Sequence, residues 1–145
     1  MRIKQLLIGM TASVIAVSSY VEMAIADLKF PMLVYRTGAY APNGIPNADG
    51  FVDYYKMINA RDGGIGGEKI FHPECETGYK TQVGVECYEK NKKDAMVFQP
   101  MSTGITYQLI PKATADGVTI YSTGYGRTSA ANGKVFKWVF NAPVT

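Results

Sequence analysis

One histidine, two cysteines and one tryptophan are all that 145 residues contain of those types. His72 has no cysteine pair or carboxylate cluster at ligand spacing, so a metal site would lack the donors it needs. No nucleophile, base and orienting group recur in a catalytic pattern. The net charge is only +3, and the densest basic run, Lys90-Asn-Lys-Lys93, reads as the polar end of a helix rather than a nucleic-acid face. No apolar run reaches the ~20 residues that span a bilayer. Phosphate-cradling fingerprints are missing too. Gly63-Gly-Ile-Gly-Gly67 and Gly124-Tyr-Gly126 have the wrong spacing, and Arg36-Thr-Gly-Ala-Tyr40, after the first strand, does not match. The expectation is a protein that is not an enzyme, with no metal, no cofactor and no nucleic-acid partner.

What is present begins with a leader. Met1-Arg-Ile-Lys4 is a short basic region, Leu6 to Val17 is apolar, and Ala24-Ile-Ala26 supplies the small-x-small pattern read by signal peptidase. Residues 1–26 are therefore expected to be a signal peptide cleaved after Ala26, leaving residues 27–145 as the exported chain. No cysteine for a lipid anchor follows the apolar region.

From Asp27 onward, short continuous apolar runs alternate with helix-length segments. Strands without polar alternation are covered on both faces, which indicates βαβ units and an α/β fold around a Rossmann-like parallel sheet. The expected strands are Met32–Tyr35, Glu68–Cys75, Ala95–Gln99 and Val118–Ser122. Ala39 to Pro46 has the proline, glycine and asparagine chemistry of a loop, with a helix expected from Asn47 until Asp62-Gly-Gly64 stops it. A second helix is expected over Tyr79–Lys93. A third should follow Ser102, a natural N-cap, with a kink or break at Pro111. Pro73 cannot donate to a ladder, so the second strand belongs at an edge, as in the order 2-1-3-4. Val135 to Phe140 is aromatic and strand-like.

In such sheets ligands sit beyond the carboxyl ends of the strands. Two ends carry small hydroxyl and glycine residues: Met101-Ser-Thr-Gly104 and Ser122-Thr-Gly-Tyr-Gly126. Glu74 and Glu76 flank Cys75, but strand alternation points both away from it. Cys75 and Cys87 form an even pair in an exported chain, which permits a disulfide. The predicted drop of about two helical turns to Cys87, ~12 Å at 1.5 Å per residue, argues the other way, so a bridge and two buried thiols both stay open.

Several segments resemble one family. They are Val34-Tyr-Arg-Thr-Gly-Ala-Tyr-Ala-Pro-Asn-Gly-Ile-Pro46, Asn59-Ala-Arg-Asp-Gly-Gly-Ile65, Glu74-Cys-Glu-Thr-Gly-Tyr79, Gly84-Val-Glu-Cys-Tyr-Glu89, Ser102-Thr-Gly-Ile-Thr-Tyr-Gln-Leu-Ile-Pro111 and Gly124-Tyr-Gly-Arg-Thr-Ser-Ala-Ala-Asn-Gly133. In this order they resemble the N-terminal part of periplasmic substrate-binding proteins of branched-chain amino acid ABC transporters. The resemblance implies a type I periplasmic-binding-protein fold of two lobes, with ligand held between them. It implies a small-molecule ligand (an amino acid or amide), a membrane permease as partner and a periplasmic location, with a sensor module of the same fold as the alternative. By position it places Ser102, Thr103, Gly124, Tyr125 and Gly126 against the ligand, and Tyr40 on the near wall. Family members are more than twice this length, so the sequence is expected to be an incomplete first lobe. Alone it should bind poorly and expose the edge of the fourth strand beside Val135–Phe140.

Overall fold

Leu33 faces one apolar cluster, while Met32 and Val34 face another on the opposite side, and all three are buried. This is a parallel strand covered on both faces. The computed structural model describes residues 27–122 and 132–141; the predicted leader and Gly124, Tyr125 and Gly126 lie outside the described residues. In chain order the elements are β1 (Leu28–Lys29), β2 (Met32–Val34), α1 (Ala41–Arg61), β3 (Ile70–Phe71), β4 (Glu74–Glu76), α2 (Thr81–Asn91), β5 (Val97–Pro100), α3 (Thr103–Asp116), β6 (Thr119–Ser122) and β7 (Val139–Asn141). The strand pairings are all parallel. The larger sheet runs β4-β2-β5-β6-β7, and β1 pairs with β3. The expected order 2-1-3-4 is thus present as β4-β2-β5-β6. Helix α1 packs on one face, with Ala48 and Tyr55 buried beside Met32 and Val34. Helices α2 and α3 cover the other, around Leu33, Tyr88, Phe98, Ile105 and Leu109.

Four expectations need correction. The predicted strand over 68–75 is two short strands, β3 and β4, interrupted at His72-Pro73. The Phe30 and Met32 N–H groups still donate to the Phe71 and Pro73 carbonyls, at 2.7 and 2.9 Å. Pro73 itself has no N–H to give, and an edge position tolerates that.

Helix α1 starts at Ala41, so the segment ending at Pro46 is mostly helix rather than loop. Pro42 lies in the first turn, where an N–H has no helical acceptor anyway. Gly44 answers to packing: a Cβ there would stand 2.0 Å from the Tyr35 carbonyl oxygen.

Of the kink or break expected at Pro111, the break is absent: α3 runs on to Asp116 and closes at Gly117 with φ +68°. Pro111 is exposed, so its ring sits on the solvent side of the helix, where a proline is best tolerated.

Finally, the edge of β6 is not bare. β7 pairs along it through Ile120↔Val139, Tyr121↔Phe140 and Ser122↔Asn141. Val139 is buried, and Phe136 packs against the α2–α3 cluster. The chain returns to the sheet in parallel, and the Ile120 N–H donates to the Trp138 carbonyl at 2.7 Å.

Candidate functional site

Chain connectivity reverses direction across the sheet at β2, whose neighbours are β4 on one side and β5 on the other. Successive crossovers leave this point toward opposite edges, which opens a crevice beyond the carboxyl ends of β2 and β5. Ser102 stands at the end of β5. It is buried, has extended backbone, and its Oγ accepts the Ile105 N–H at 3.4 Å, capping α3. Thr103 beside it is half-buried and begins the helix. The Thr106 hydroxyl donates to the Ser102 carbonyl at 2.8 Å, tightening the same turn. No acidic residue lies in the first turn of α3, so its free N–H groups and positive dipole end remain suited to an anion.

Across the crevice, Tyr40 occupies the N-cap position of α1 without a side-chain cap bond, and it is 55% exposed. Its ring lies 4.5 Å from that of Tyr79, which lies 4.8 Å from that of buried Tyr35. Ser102 and Thr103 thus follow β5 and Tyr40 follows β2, the neighbouring parallel strands at the switch point. Ser122, which opens the second predicted strand end, is buried in β6, whereas Tyr79 and buried Thr77 were not among the predicted site residues. Thr77 follows Glu76 just past the end of β4, and that position alone could have flagged it.

Glu74 and Glu76 turn out to be structural. Arg36 Nε and Nη2 donate to the two Glu74 oxygens at 2.6 and 2.8 Å, and Nη1 donates to Asp49 Oδ1 at 2.7 Å. The hydrogen bonds that Arg36 donates to Glu74 and then to Asp49 are the main causes that push its guanidinium further up its already basic range. Glu76 joins the loops after β2 and β4. Its carboxylate accepts the Arg36 N–H at 2.8 Å, the Gly78 N–H at 2.7 Å and the Thr37 hydroxyl at 3.1 Å. Burial works to raise this carboxyl, but the bonds from Arg36, Gly78 and Thr37 outweigh it and hold it below the ordinary glutamate range. A depressed folded-state value contributes stability above the unfolded pKa of ~4.3 and loses it as pH falls through the folded value. Glu76→Gln should therefore destabilise at pH 7, with the gap to wild type closing toward pH 3, as read by urea melts at both pH values. A gap that stays constant with pH would rule out the charged role.

Cys75 and Cys87 are bridged, with Cα atoms 5.9 Å apart. The expected drop between them was overstated for a geometric reason. Helix α2 begins at Thr81 rather than Tyr79, so Cys87 lies only six residues, ~9 Å at 1.5 Å per residue, down a helix that runs back antiparallel to β4 and past Cys75. On the α1 face, Gln99 Nε2 donates to the Tyr55 hydroxyl, tying β5 to the helix. Burial is the main cause pushing the Tyr55 phenol up to about 12. His72 is half-buried with its ring 5.6 Å from that of Tyr55. Among the described residues, no three His, Cys, Asp or Glu side chains come together to hold a metal, and no helix is long and apolar enough to cross a membrane.

A family model described as periplasmic binding protein matches residues 27–145. A crystal structure described as an ABC transporter permease from the Pseudomonas fluorescens group is 39% identical, with TM-score 0.74, over 79% of this chain and 29% of that one. The branched-chain amino acid transporter substrate-binding protein of Streptococcus pneumoniae, solved in complex with isoleucine, is 21% identical with TM-score 0.68, over 82% and 34%. An ABC transporter solute-binding protein from R. palustris, in complex with benzoate, is 20% identical with TM-score 0.64, over 80% and 32%. Among curated proteins none matches. The chain spans about a third of the length of these solved relatives.

Proposed function

The chain belongs to the periplasmic binding protein family, and from that premise we propose that it is the solute-binding component, or part of it, of an ABC importer for branched-chain amino acids or related small amides and carboxylates. Residues 1–26 serve as the export leader, removed after Ala26, and a membrane permease receives the solute. The observation that carries this reading is Ser102. It is a buried hydroxyl at the end of β5, beside Thr103 and the N-terminal turn of α3, on the crevice where the sheet order reverses. A carboxylate there would meet hydroxyl and backbone donors without an opposing acid. Isoleucine and benzoate, the solutes of two structural neighbours, share a carboxylate joined to an apolar body. Tyr40 offers the apolar wall, and the family resemblance would add Gly124, Tyr125 and Gly126 to the ligand contacts.

The test is a titration of the full-length, two-lobed protein with L-leucine. A hydrogen bond to a charged group is worth about 1.5–3 kcal/mol, so Ser102→Ala should weaken binding roughly ten- to a hundredfold. Losing the cap also costs ~1 kcal/mol of stability. Ser102→Asp separates the two effects, because it keeps a capping oxygen while setting a negative charge against the ligand. It should melt like wild type and not bind. Undiminished affinity in both variants would leave Ser102 a helix cap only.

A further inference from the structure

Tyr79 has a backbone that a bulky aromatic residue rarely adopts. Its φ is +63°, directly after Gly78 at +54°, and a side chain in this left-handed region is strained unless its surroundings over-determine it. Here they do. The Thr77 hydroxyl donates to the Val34 carbonyl at 2.8 Å and accepts the Tyr79 N–H at 3.2 Å. The Glu76 carboxylate fastens Gly78 on one loop and Arg36 and Thr37 on the other. Behind them, the Cys75–Cys87 bridge ties β4 to α2.

The conformation aims the Tyr79 ring between two others. It meets Tyr35 edge-on, with an interplanar angle of 81°, and lies tilted by 38° against Tyr40. On one side Tyr79 packs against the buried cluster that holds Tyr35. On the other it meets Tyr40, which is more than half exposed and, among the described residues, has no other ring partner. The loop after β4 is thus wired to the loop after β2 in a way that fixes an exposed tyrosine on the crevice.

We propose that Tyr79 is a positioning residue: it holds Tyr40 as the apolar wall that selects solutes with a hydrocarbon or aromatic body. This rests on the binding reading above, with Tyr40 touching solute and Tyr79 acting only through it. The preferred class is a small carboxylate with an apolar side chain over one without.

The experiment uses the full-length, two-lobed protein labelled with 3-fluorotyrosine, the Tyr40 resonance being assigned by its loss in Tyr40→Phe. Tyr79→Asn removes the ring while keeping a residue that tolerates the left-handed backbone; Tyr79→Phe keeps the ring. In Tyr79→Asn the Tyr40 resonance should move toward free tyrosine and sharpen. The preference for L-leucine over glycine should also shrink roughly two- to tenfold, the range of one aromatic contact. Tyr79→Phe should leave both as in wild type. An unchanged Tyr40 resonance in Tyr79→Asn, or an unaltered leucine-to-glycine preference, overturns the proposal. If wild type binds neither probe, the solute-binding reading falls and the selective role falls with it, while the resonance still decides whether Tyr79 positions Tyr40.

Discussion

Replacing Cys75 and Cys87 together by alanine should lower stability by about 2–4 kcal/mol and the melting midpoint by roughly 10 °C or more for a domain of this size. The bridged residues are 12 apart in sequence, and closing a loop of that length in the unfolded chain removes much of its freedom. The folded chain adds a local reason. β4 is an edge strand of three residues, and the bridge is the covalent link that keeps it against α2. Reduction of the wild type should reproduce the loss, and the double variant should be insensitive to reductant. Urea melts of the oxidised, reduced and substituted forms check this. Coincident midpoints would mean that the bridge contributes little.

Gly44→Ala should cost about 1–3 kcal/mol, the usual range for overpacking a tight contact, although alanine is the better helix former by about 1 kcal/mol. The added methyl would stand 2.0 Å from the Tyr35 carbonyl oxygen and 2.3 Å from its Cδ2. Helix α1 would have to lift from β2 at the very turn that carries Tyr40. Gly50→Ala on the same helix is the control. Nothing lies within 4 Å of the position its methyl would take, so only the propensity gain should remain and the variant should be slightly stabilised. Two variants of one substitution type, opposite in sign, separate close packing from helix propensity. Equal effects would contradict the packing of α1 on β2.

The parallel sheet and its order were legible because Met32-Leu-Val34 and Val97-Phe98 show no polar alternation, and because Pro73 can only sit at an edge. The start of α1 was not. Pro42, Gly44 and Pro46 carry the local chemistry of a turn, and only the approach of the helix to Tyr35 shows that Gly44 serves packing. The break allowed for at Pro111 is absent for a similar reason: a proline on the solvent side of a well-anchored helix need not end it. In the site, Ser102 was readable as both strand end and cap. Tyr79 was hidden because no sequence rule expects a tyrosine in a left-handed turn, and its conformation is imposed by Glu76 and Thr77 from the adjoining residues. The disulfide stayed open because its distance depends on how far the chain climbs between strand and helix.

The claim at the centre of this account is that small carboxylates bind where the sheet order reverses. Mapping amide resonances of the isotopically labelled full-length, two-lobed protein during titration with L-leucine and then benzoate, to millimolar concentrations, addresses it directly. The account predicts saturable shifts concentrated at Ser102, Thr103 and Gly104 and at Tyr40 across the crevice, lost in Ser102→Asp. Shifts confined to another surface, such as the exposed flank of α1 around Gly50 and Tyr54, or no saturable shift with either solute, would contradict it.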